Sequence, residues 1–192
     1  SDVALPILKT TLNFEDAVRN IINYFEGGYY HPDMKVKDPG KFAVMGDSGE
    51  TMFGIDRKHG ADLENNTPEG KEFWALIDAE NARQNWPYEY MLDDKPELKE
   101  KLIKLSAKIF ERVFYDFSER FLSDEAKKIV MSDPKLFFHF VDACYNGSGW
   151  FQKFANVINK EVEQGNTNIE SLRNLAINSR TNASHHLIRR GG

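Results

Sequence analysis

The sequence predicts a mainly helical domain with a small β-hairpin or irregular sheet near its N-terminus, placed as one wall of a cleft. Three observations lead there. Apolar residues recur at helical spacing over most of the chain, as in Leu98, Leu102, Leu105, Ile109 and Val113, with lysines on the opposite face. Helix-start signals precede those stretches. Between Tyr29 and Ile55 the helical pattern breaks around Pro32, Pro39, Gly40, Gly46, Gly49 and Gly54.

Taken in order, Asn13 is an N-cap, with Asp16 at the third helical position. Phe14, Val18, Ile21, Ile22 and Phe25 then share one helical face. At about 100° per residue, Glu26 falls on the shoulder of that stripe, in the last turn. Gly27-Gly28 ends the helix. The following wall, about residues 29–55, contains short apolar pieces such as Phe42-Ala43-Val44-Met45, and Phe53 and Ile55 anchor it. From Asp56 onward the chain reads as helical. Thr67-Pro68-Glu69 is a cap with proline at the first helical position. Phe73, Trp74, Leu76 and Ile77 follow, and Trp86-Pro87 closes that helix. Pro96 opens the next helix, and Ser123 and Asp133-Pro134 open two more. The run Leu136-Phe137-Phe138-His139-Phe140-Val141 is apolar nearly all round, which places it at the centre of a domain. It ends at Asn146-Gly147. Two shorter helices carry Phe151, Phe154, Val157 and Ile158, then Ile169, Leu172 and Leu175.

At 192 residues the chain suits a single domain, residues 1–192 with its core over about 14–178, and with 41% apolar residues it can bury a sizeable core. A net charge of −5 and no long basic run argue against nucleic acid as a partner. The one cysteine, Cys144, reads as a buried thiol and excludes a disulfide framework. No apolar run reaches the roughly 18–20 residues that span a membrane. Ser1 to Pro6 show no export-signal pattern. The five histidines show no metal-ligand spacing, and no phosphate-binding glycine loop or nucleophile elbow is present.

Glycoside hydrolysis needs one carboxyl group protonated and another ionised. Glu26 fits the first role: the negative end of a helix dipole and apolar neighbours both disfavour its charged form. Asp47, in a polar turn flanked by glycine, fits the second. Thr51 can hold a water against Asp47. The same residues also fit plain structural roles as a shoulder carboxylate, a turn former and a strand residue.

Glu26-Gly27-Gly28-Tyr29, followed by Asp47-x-Gly49-x-Thr51-x-x-Gly54-Ile55, resembles the signature of glycoside hydrolase family 108, the phage and bacterial N-acetylmuramidases of the lysozyme-like superfamily. Phe138-His139-Phe140-Val141-Asp142-Ala143-Cys144-Tyr145-Asn146-Gly147-Ser148-Gly149 is similar to that family's second block, an apolar helix with Asp and then Asn-x-Gly. The resemblance spans about residues 14–178. It implies a lysozyme-like α+β fold and cleavage of the β-1,4 bond between N-acetylmuramic acid and N-acetylglucosamine, in the periplasm or cell wall. It implies Glu26 as catalytic acid, with Asp47 as base and Thr51 positioning water. No cofactor is called for, the partner is the peptidoglycan glycan strand, and a monomer is expected. Glu50 stands where the family usually has glycine. A carboxylate there competes with Asp47 for the role of base and raises one of the two pKa values by like-charge repulsion.

Asp142 and Asn146 lie one helical turn apart. They form either a cleft floor that bonds sugar, or a buried aspartate beside an asparagine that ends its own helix. Tyr29 and Trp150 are the aromatics assigned to sugar stacking; Trp74 and Trp86 are assigned to the core. Three rivals remain: a lytic transglycosylase using Glu26 without Asp47, a non-catalytic glycan-binding protein on the same fold, and an unrelated helical interaction module in which Glu26, Asp47 and Asp142 lie far apart.

Overall fold

A computed structural model of the chain describes residues 12–25, 28–30, 50–57, 62–81 and 92–181. The described chain is mainly helical, with one small antiparallel sheet near the N-terminus. Its elements are α1 (Phe14–Tyr24), β1 (Tyr29–Tyr30), β2 (Thr51–Met52), β3 (Ile55–Asp56), α2 (Asp62–Asn65), α3 (Pro68–Asn81), α4 (Pro96–Phe121), α5 (Asp124–Ser132), α6 (Pro134–Cys144), α7 (Ser148–Glu163) and α8 (Ile169–Thr181). They form two compact units, one built from the described residues up to Ala17 and from Val113 on, the other from Val18 to Arg112.

The helix starts follow their capping chemistry. Asn13 Oδ1 accepts the Glu15 and Asp16 backbone N–H groups at 2.9 and 3.3 Å. Thr67 Oγ1 accepts from Gly70 at 3.1 Å and Ser123 Oγ from Ala126 at 3.2 Å. Asp133 Oδ2 accepts from Leu136 at 2.9 Å, with Pro134 in the first turn where a missing N–H costs nothing. Asn168 caps α8 through a 2.9 Å bond from Ser171, a start the hydrophobic pattern alone does not mark.

In the unit from Val18 to Arg112, Val18, Ile21, Ile22, Met52, Phe53, Ile55, Phe73, Ile77 and Phe110 are fully buried. The apolar face of α1 is shorter than expected. Phe25 lies past the end of α1 and is 41% exposed, because the periodicity runs on in sequence after the helix has stopped at Tyr24. Glu26, which the sequence places in the last turn of this helix, lies outside the described residues, as do Gly27, Asp47 and Trp86.

Gly70 sits where α3 passes the short α2, and a β-carbon there would run into the Glu64 carbonyl. Helix propensity favours alanine over glycine by up to about 1 kcal/mol. The collision with rigid backbone outweighs it, since overpacking costs roughly 1–3 kcal/mol. Gly70→Ala is expected to lower the thermal midpoint by a few degrees; a raised midpoint would show that α2 yields freely.

The other unit holds the apolar helix α6. Leu136, Phe137, Phe140, Val141, Ala143 and Cys144 are buried, as the all-round apolar run predicts. Phe151 of α7 meets Phe117 at 5.5 Å and Phe140 at 5.1 Å between ring centroids, edge to face in both cases, an arrangement worth about 1 kcal/mol per pair beyond area burial. His139 is buried with its ring 4.7 Å from Phe154, the position of a core histidine. The α7 helix runs 16 residues against 11 for α6, so it is not the shorter element the sequence predicts. Gly147, at φ +93°, makes the turn between them.

Candidate active site

The three strands bring distant parts of the chain together. Tyr29 pairs with Met52 and Tyr30 with Thr51; Thr51 in turn pairs with Asp56 and Met52 with Ile55. The Phe53 N–H also donates to the Gly28 carbonyl at 3.3 Å. The segment that begins two residues after Glu26 is thus sewn to the segment that carries Thr51. Phe53 and Gly54, at φ +51° and +78°, make the two-residue turn between β2 and β3, where positive φ at both positions matches the strand twist. For phenylalanine that conformation is strained, and it persists because the side chain is fully buried.

Thr51 is 7% exposed, and its hydroxyl has no hydrogen-bond partner among the described residues. The hydroxyls of Ser106 and Ser118, within α4, share that state. What distinguishes Thr51 is its register opposite Tyr30.

Glu50, the residue expected to disturb its neighbour Asp47, is held by Arg57. Arg57 Nη1 donates to Glu50 Oε1 at 2.8 Å and to Asp78 Oδ1 at 2.6 Å, and Nη2 donates to Asp78 Oδ2 at 2.7 Å. The hydrogen bonds to Asp78 hold the guanidinium above its ordinary range; burial opposes them and Glu50 adds to them. Arg57 likewise keeps the Asp78 carboxyl below the usual carboxylate range. This cluster is absent from the sequence expectations. Glu50 and Arg57 are seven residues apart and Asp78 is 21 further on, and no local pattern pairs such positions.

Of the other expected site residues, Tyr29 contributes its backbone to β1. Asp142 is 1% exposed near the end of α6. Asn146 Nδ2 donates to the Asp142 carbonyl at 3.3 Å and the Asn146 N–H to the Ala143 carbonyl at 3.0 Å, so Asn146 closes its own helix. Trp150 is half-buried, stacked on Phe154 at 6.2 Å, with the Lys153 ammonium 5.2 Å from its ring. Its own helix already occupies part of the ring surface assigned to sugar. Trp74 is buried, as assigned, and its indole N–H donates to Asn65 Oδ1 at 3.1 Å. Among the described residues no cluster of three or more His, Cys, Asp or Glu side chains is arranged to hold a metal ion, and no helix is long and apolar enough to cross a membrane.

No family model, no curated protein and no solved structure matches this chain.

Proposed function

We propose that this chain is a peptidoglycan hydrolase that cleaves the β-1,4 bond between N-acetylmuramic acid and N-acetylglucosamine. The observation that carries the proposal is the strand register. The Glu26-Gly27-Gly28-Tyr29 and Asp47-to-Ile55 blocks, 21 residues apart between the two carboxylates in sequence, are joined by Tyr29–Met52 and Tyr30–Thr51 pairing. A glycosidase needs such a juxtaposition, because its two carboxyl groups must flank one bond. The buried Thr51 hydroxyl, with no hydrogen-bond partner among the described residues, suits a group that holds a water.

In this mechanism Glu26 protonates the leaving oxygen. Asp47 activates water or stabilises the cation-like sugar, and Thr51 orients the water. Glu50 is a poor base, since its carboxylate already accepts from Arg57. No cofactor enters, and the partner is the glycan strand wherever it is exposed, in the periplasm or cell wall. A carboxyl separation of about 6.5–9.5 Å would give inversion and about 5–5.5 Å retention.

Asp47→Asn is expected to reduce reducing-end release from purified peptidoglycan by about 100-fold, the lower range for loss of a general base. Undiminished turnover giving 1,6-anhydro ends would instead identify a lytic transglycosylase, in which the muramic 6-hydroxyl attacks and no base–water pair is required.

A further inference from the structure

The β2–β3 hairpin is fastened at its open end by one side chain. Arg57 follows β3 directly, and its backbone N–H donates to the Glu50 carbonyl at 2.9 Å, extending the ladder one step past Thr51–Asp56. Its guanidinium bonds the Glu50 carboxylate on β2's side and, bidentately, Asp78 on α3. Beneath it the Trp74 ring lies 5.0 Å from the guanidinium carbon. Asn65 completes the clamp: its Nδ2 donates to the carbonyls of Asp56 and Arg57 at 3.0 and 3.1 Å, while its Oδ1 accepts from Trp74. Hairpin, α2 and α3 are thereby locked together within one unit of the molecule.

We infer that Arg57 is a positioning residue for the proposed hydrolysis, acting through Thr51 and Glu50. It fixes the strand whose hydroxyl is to orient the water, and it neutralises Glu50, the carboxylate that precedes Thr51 in the chain. The inference rests on the hydrolase proposal above. An isolated ion pair at this exposure contributes little to stability, because Arg57 is 39% and Asp78 53% exposed. The clamp's consequence is geometric instead: a bidentate fork fixes direction as well as distance. A shift of about 1 Å in a water-positioning group can cost about 100-fold in rate.

The test uses the full chain on purified peptidoglycan, comparing Arg57→Gln and Asp78→Asn with the unaltered protein. Arg57→Gln is expected to lower kcat roughly 10- to 100-fold with KM within about twofold. KM is the control: lost positioning lowers kcat alone, whereas a loosened site raises KM as well. Asp78→Asn is expected to lower kcat less, since Glu50 keeps its partner. An unchanged kcat in Arg57→Gln overturns the inference, and so does a fall in kcat with a comparable rise in KM, which marks simple structural support. If Arg57→Gln fails to fold, Asp78→Asn decides: a lowered kcat with KM within about twofold upholds the inference, and an unchanged kcat, or a kcat and KM that worsen together, overturns it. Failure of the unaltered chain to release any product removes the hydrolase proposal itself and is recognised before a variant is made.

Discussion

Replacing Glu26 with glutamine is expected to reduce muramidase turnover by about 10³- to 10⁴-fold, the upper range for loss of a positioned general acid. Glutamine keeps the shape and the hydrogen-bonding reach but has no proton to give at the glycosidic oxygen. The active form of this group is the protonated one, so turnover should fall as pH rises through the Glu26 pKa. Stability should change by less than about 0.5 kcal/mol, as for a substitution away from the core. Equal turnover in the two proteins would remove Glu26 from the mechanism.

The largest effect on stability is expected at Asp133. Its side chain is 5% exposed and does three things: it caps α6 through Leu136, accepts from Arg173 Nε at 2.9 Å, and accepts from Arg173 Nη2. Burial by itself would raise the carboxyl, but the hydrogen bonds from Arg173 and Leu136 outweigh it and hold it below the usual carboxylate range. Alanine removes a cap worth about 1 kcal/mol and charge-assisted hydrogen bonds worth about 2 kcal/mol. The expected loss is about 3 kcal/mol, or roughly 6–12 °C in thermal midpoint. Asparagine keeps the capping oxygen and should lose less. The folded pKa is depressed, so the contribution is complete above the unfolded value of about 3.9 and is lost as pH falls through the folded value. The midpoint difference between Asp133→Ala and the unaltered chain should therefore shrink on acidification below about pH 4. A difference that stays constant into strong acid would mean that the charge is not what matters.

The sequence was most legible where structure is set over three or four residues. Asn13, Thr67, Ser123 and Asp133 cap helices because a short polar side chain bonds an N–H two or three positions on, which composition alone reveals. The all-round apolar run of α6 announced its own burial. Extrapolated periodicity failed at Phe25: hydrophobic spacing records which residues would share a face, not where the helix stops. Asp142 and Asn146 fall within one turn of each other, as their spacing predicts, and Asn146 Nδ2 bonds the Asp142 carbonyl; spacing alone does not distinguish a sugar-binding floor from a helix end. The sequence sets Glu50 against its neighbour Asp47, whereas in the fold Glu50 bonds Arg57 across the hairpin. Such a pairing depends on β2–β3 register, and Asp78 joins it only through the placement of α3. Thr51 was named from its motif, and its burial and unused hydroxyl became visible only in the folded strand.

The central claim is tested most directly by mass spectrometry of the soluble fragments that the unaltered chain and Glu26→Gln release from purified peptidoglycan. Fragments with reducing muramic ends from the unaltered chain, and none from Glu26→Gln, are the predicted result. No soluble fragments from either protein, with retained binding to the insoluble wall, would contradict it and leave a glycan-binding protein in its place.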